Sequence, residues 1–96
     1  MPPSKFRVYG LDETYPELGE FSFKIVINPR FSKPGIEYDV KMIDSDRKPM
    51  KFDLKRWGRK INVTFTIDLG VSDGVSTVIV TRASQEVGRL TFWVIK

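Results

Sequence analysis

From Lys60 onward the chain alternates without interruption: Ile61, Val63, Phe65, Ile67 and Leu69 fall on one parity, Asn62, Thr64, Thr66 and Asp68 on the other. A helix would scatter these apolar residues around its circumference, whereas a strand gathers them on one side. The pattern predicts a half-buried strand over residues 60–69. The same period of two recurs over 21–27, 36–42 and 50–55, each with one apolar face. Weaker candidates lie at 5–11, with Phe6 and Val8; at 76–82, around the run Val78-Ile79-Val80; and at 90–95, with Leu90, Phe92 and Val94. The run 78–80 is apolar on both faces, as in a strand at the centre of a sheet.

Between these segments stand turn residues: Gly10, Pro16 and Gly19, Asn28-Pro29, Pro34-Gly35, Asp44-Ser45-Asp46 before Pro49, Trp57-Gly58, Gly70, Asp73-Gly74, and Gly88. Glycine and proline there supply the backbone angles at which strands reverse. No long amphipathic helical window with a cap at its start is present, so no helix beyond a single turn is expected. One-faced strands need a second layer. Seven short strands at 8–12-residue spacing predict an all-β, two-sheet antiparallel sandwich of the immunoglobulin or fibronectin type III kind. Whether strand 50–55 stays with its hairpin partner or joins the other sheet separates these subtypes, and strand order is left open.

Composition narrows the function more than the fold. At 96 residues, 41% hydrophobic and 29% charged, the chain is of ordinary globular composition and sized for one core, so residues 1–96 read as a single domain. No apolar run is long enough to span a bilayer and residues 1–5 lack a secretory leader's apolar stretch, so a soluble chain without membrane insertion is expected. Its compartment is undetermined, and a cell-surface context fits if the domain is excised from a longer protein. Cysteine and histidine are both absent. That removes thiolate chemistry, disulfides, the commonest transition-metal ligand and the commonest general base.

The charge is segregated. Residues 47–60 hold Arg47, Lys48, Lys51, Lys55, Arg56, Arg59 and Lys60 against one acid, Asp53, a larger excess than the +4 of the whole chain. If 50–55 and 60–69 form a hairpin, Arg56-Trp57-Gly58-Arg59 is its tip, with Gly58 suited to positive φ. Two readings of this ridge stand. Lys51, Lys55, Arg56, Arg59 and Lys60 bind a polyanion or nucleic acid with Trp57 stacking, or the lysines protect an edge strand and pair with Glu37 and Asp39. A second candidate surface is carried by Trp93 and Ile95. If 90, 92 and 94 face the core, these two large apolar residues face outward, as at an interface with a protein partner or neighbouring domain. The alternatives are that the first strand or the N-terminal arm covers them, or that the phase of the strand is reversed and they face the core.

Other motifs carry less. Asp44-Ser45-Asp46 lacks the remaining positions of a calcium loop and reads as a turn capped by aspartate. Asn62-Val63-Thr64 matches the glycosylation sequon by chance. Asp12, Glu13, Glu17 and Glu20 read as an acidic loop, since a catalytic carboxylate pair must converge in a cleft. No GxSxG, SxxK, P-loop or GxGxxG occurs. No enzymatic activity, cofactor or metal is expected.

Two stretches carry a family likeness. Ser72-Asp73-Gly74-Val75-Ser76-Thr77-Val78-Ile79-Val80, followed by Gly88-Arg89-Leu90-Thr91-Phe92-Trp93-Val94, resembles bacterial Ig-like repeat modules. Thr77 stands where those modules often place a corner tyrosine. The opening Pro3-Ser4-Lys5-Phe6-Arg7-Val8-Tyr9-Gly10 resembles the start of filamin-type Ig repeats. These resemblances imply a spacer or protein-interaction module within a larger protein or assembly, with no catalytic residues to carry over.

Overall fold

The computed structural model describes residues 4–96. Eight strands and one 3₁₀ turn follow in the order β1 (Phe6–Tyr9), β2 (Thr14–Tyr15), β3 (Gly19–Ile27), the turn Pro29–Phe31, β4 (Tyr38–Ile43), β5 (Phe52–Trp57), β6 (Lys60–Ile67), β7 (Gly74–Arg82) and β8 (Gln85–Val94). They form two four-stranded sheets, ordered β1-β3-β6-β5 and β2-β8-β7-β4. β5 stays with its hairpin partner β6, which gives the immunoglobulin constant-type layout rather than the fibronectin one. Among the described residues no helix is long and apolar enough to cross a membrane.

Each strand buries one parity. Phe23, Ile25 and Ile27 of β3 meet Ile61, Val63, Phe65 and Ile67 of β6 on the inner side of the first sheet. Tyr38, Val40 and Met42, with Val78, Val80, Phe92 and Val94, line the inner side of the second. Phe65 sits at the middle of an aromatic cluster joining the layers. Its ring centroid is 5.4 Å from those of Tyr15 and Phe92, 5.8 Å from Phe21 and 5.9 Å from Phe23.

Three boundaries differ from the sequence expectation, each for a local reason. β2 is two residues long, too short to show a period, and pairs parallel to β8 through Thr14↔Trp93 and Tyr15↔Val94. It is fixed by Tyr15, buried in the aromatic cluster, whose hydroxyl oxygen accepts from the Asp12 N–H at 3.0 Å. Burial pushes the Tyr15 hydroxyl pKa up.

Leu69, placed in the core by parity, is 85% exposed. β6 ends at Ile67, where the Asp68 carboxylate accepts from the Gly70 N–H (2.9 Å) and its carbonyl from the Val71 N–H (3.2 Å), turning the chain.

Gly88, expected to break the chain, lies inside β8 opposite Val80. A Cβ there would stand 2.6 Å from Phe6 Cζ, so glycine lets the Phe6 ring of the first sheet lie against the second. The reversal comes earlier, at Ala83-Ser84, both at positive φ (50° and 66°). That is the backbone of a two-residue type I′ turn, ordinarily filled by Asn-Gly, and side chains with a Cβ occupy it at a cost. Replacing the pair (Ala83→Asn/Ser84→Gly) is expected to stabilise the fold by about 1 kcal/mol, read as a higher urea midpoint at unchanged slope.

Candidate binding surfaces

The tip of the basic hairpin is a two-residue turn. Trp57 pairs with Lys60, and Gly58 takes φ +61, as the first position of a type II′ turn requires. Leu54 turns inward on β5, so Asp53, Lys55 and Trp57 turn outward, and Trp57 is 83% exposed. Lys51 shares that parity but stands at the far end, beyond Asp53.

Arg56 takes the inward parity at the sheet edge and reaches across to the other layer. Its guanidinium pairs with the Asp39 carboxylate and donates to the Tyr38 carbonyl from Nη2 (3.1 Å) and Nε (3.4 Å). β4 is the edge of its sheet, and Arg56 occupies one of its unpaired carbonyls. Arg56 is therefore a clamp between sheet edges, set apart from the face that carries Lys55, Trp57 and Lys60. Arg59 is also anchored. Its Nη1 donates to the Ile27 carbonyl (3.0 Å), while its own carbonyl accepts from the Ile27 N–H (2.8 Å).

Register carries the outward residues of four strands into two rows. One runs Tyr9–Lys24–Asn62–Lys55, the other Arg7–Val26–Lys60–Trp57. Short side chains (Asn62, Ser22, Thr64) occupy the middle and long ones the rim, leaving two shallow depressions of about 720 and 560 Å³ that share Lys24 and Asn62. Lys24 Nζ lies 5.6 Å from the Tyr9 ring centroid. The ion pairs among the described residues are Lys48–Asp44, Arg56–Asp39 and Arg89–Glu86, so Arg7, Lys24, Lys55 and Lys60 take no part in one. Sequence reasoning missed Arg7 and Lys24, which lie over thirty positions from the hairpin tip, and could name Tyr9 only as an aromatic to set beside Trp57; strand register brings all three to this face.

The second sheet presents a different surface. Trp93 is 51% and Ile95 54% exposed, and Val75, directly across from Trp93, is also exposed. β2 runs beside this patch rather than over it. The Glu13 carbonyl accepts from the Trp93 N–H (2.8 Å) and the Tyr15 carbonyl from the Ile95 N–H (3.1 Å), so the backbone edge is covered while the indole stays open.

Between the sheets, at one end, a turn is organised by the buried Asp44. Its Oδ1 accepts from the N–H groups of Asp46 and Lys48, both at 2.9 Å, and Oδ2 from the Ser72 N–H at 3.2 Å. Lys48 Nζ lies 3.7 Å from Oδ2 and donates to the Gly70 carbonyl (2.8 Å). Burial opposes ionisation, but the three backbone donors and the nearby ammonium outweigh it and hold the Asp44 carboxyl below the usual carboxylate range. This is the aspartate-capped turn expected from Asp44-Ser45-Asp46, with a further bond that ties it to the β6–β7 loop.

No family model and no curated protein matches the chain. Among solved structures it is similar to the crystal structure of the Lin-41 filamin domain, with a TM-score of 0.68 over 95% of this chain and 92% of that one, at 8% identity. At that identity the likeness speaks for the fold alone: the two four-stranded sheets β1-β3-β6-β5 and β2-β8-β7-β4 make an immunoglobulin-like sandwich, the fold of that domain.

Proposed function

We propose that residues 1–96 form one non-enzymatic immunoglobulin-like interaction module, whose protein partner docks on the outer face of the β2-β8-β7-β4 sheet around Trp93, Ile95 and Val75. The observation that carries this reading is the open indole of Trp93 beside two further exposed apolar side chains, Val75 across from it on β7 and Ile95 just past the end of β8. Such a cluster, rimmed by Thr14 and Thr91, has the aromatic centre and polar border of a protein interface. An edge-on mode is less supported at β4, where Arg56 already holds a free carbonyl. A module of this kind also serves as a spacer in a longer chain, as in the bacterial Ig-like repeats that its C-terminal segment resembles.

The test is site-directed photocrosslinking in cells that make the protein, with the probe at position 93 and a control at position 41 on the same sheet. A discrete protein adduct is expected at 93 and not at 41, and it should disappear in Ile95→Ser/Val75→Ser. Equal labelling at both positions, or none at 93, would remove the docking surface.

A further inference from the structure

The opposite sheet carries a surface of another chemistry. We propose that the outer face of β1-β3-β6-β5 binds single-stranded nucleic acid, with Trp57 and Tyr9 stacking unpaired bases while Arg7, Lys24, Lys55 and Lys60 meet phosphates. The proposal is independent of the docking patch, which lies on the other sheet.

Three observations converge. The four cations come from four different strands, all point to one side, and none takes part in an ion pair among the described residues. The two acids of this face, Glu20 and Asp53, line the larger depression beside Lys24 and Lys55, whereas the smaller one, lined by Lys24, Trp57, Arg59 and Lys60, contains no acid. The two exposed rings occupy diagonal corners. Three interstrand steps and two residues along the strand put their Cα atoms about 16 Å apart, room for a short stretch of extended strand between them.

The recessed floor favours this occupant over others. Asn62, Ser22 and Thr64 lie in the larger depression among Tyr9, Lys24, Lys55, Glu20 and Asp53, and Asn62 continues into the smaller one beside Trp57 and Lys60. Their amide and hydroxyl groups can both donate and accept, as base edges and sugar oxygens require. A duplex keeps its bases stacked on one another and offers the rings nothing to stack on; a single strand does. The Trp57 ring is nearly free of the protein, so its π-face is available. A sulfated glycan would use the same cations but would have little need of Trp57, and that difference separates the two.

Fluorescence anisotropy of labelled oligothymidine and oligouridine of about 12 nucleotides would be followed from about 50 to 200 mM salt. Four phosphate contacts predict a slope of about −3 in log affinity against log salt. Lys55→Glu/Lys60→Glu should abolish binding at the upper end of that range, and Trp57→Ala should weaken it roughly ten- to a hundredfold. Lys41→Glu on the other sheet should act far less than Lys55→Glu alone, an equal charge change. All these side chains are exposed, and an unchanged urea midpoint would verify that each variant is folded. Absence of binding at the lowest salt overturns the proposal, as does equal loss in Lys41→Glu. Tighter binding of heparin or duplex DNA, unaffected by Trp57→Ala, would assign the face to a polyanion recognised by charge alone.

Discussion

Truncating Phe65 to alanine is expected to cost about 3–5 kcal/mol, the largest effect of any single change in the molecule. Its side chain is fully buried and, among the described residues, is the one whose ring packs against Tyr15, Phe21, Phe23 and Phe92 together. The first sheet supplies Phe65, Phe21 and Phe23, the second Tyr15 and Phe92, so the cavity opens where the layers meet and neither can relax into it alone. Edge-to-face aromatic contacts worth roughly 0.5–1.5 kcal/mol each disappear besides the transferred area. A domain of this size has about 5–15 kcal/mol in total. Equilibrium urea unfolding should show the midpoint collapsing, with β2 released first because Tyr15 is its anchor. A loss below about 1 kcal/mol, of the size seen at surface sites, would mean that the sheets do not meet through this ring.

Asp44→Asn should cost about 1–3 kcal/mol, and the cost should depend on pH. The carboxylate accepts three backbone N–H groups with its two oxygens; asparagine keeps one acceptor and presents an NH₂ to a donor that then has no partner. Because the folded-state pKa of Asp44 is lowered, its contribution is present in full above the unfolded value of about 3.9 and is lost as pH falls through the folded one. The gap between wild type and Asp44→Asn should therefore be widest above about pH 5 and shrink as the medium is acidified below about pH 4. A gap that stays constant over that range would show that ionisation of Asp44 contributes nothing to the turn.

What could be read in advance followed from periodicity. The alternation of β6 and β3 needs no partner to be visible, because each strand writes its own two faces into the sequence. The two sheets followed from that, since one-faced strands must be covered. β2 left no trace, because two residues have no period, and its position depends on Tyr15 finding a pocket between the layers. Ala83-Ser84 carries no turn chemistry, so the reversal was assigned to Gly88, whose absent Cβ answers to Phe6 of the other sheet.

The basic segment shows the same divide within a candidate site. Linear proximity grouped Arg56 with Lys55 and Lys60, but a period of two sends neighbours to opposite sides. Arg56 went to the edge clamp with Asp39 and Tyr38. In its place, register recruits Arg7, Tyr9 and Lys24 from two strands that carry no basic cluster of their own. A surface assembled across strands is visible only once the pairing is known.

The short parallel pairing of β2 with β8 also has a mechanical meaning. Tension carried along the backbone from ahead of β2 to beyond β8 would pull these two strands past each other lengthwise. The Glu13–Trp93 and Tyr15–Ile95 hydrogen bonds would then bear load at the same moment rather than open one after another like a zipper. Rupture of this pair would require both bonds to fail together with the aromatic seat of Tyr15.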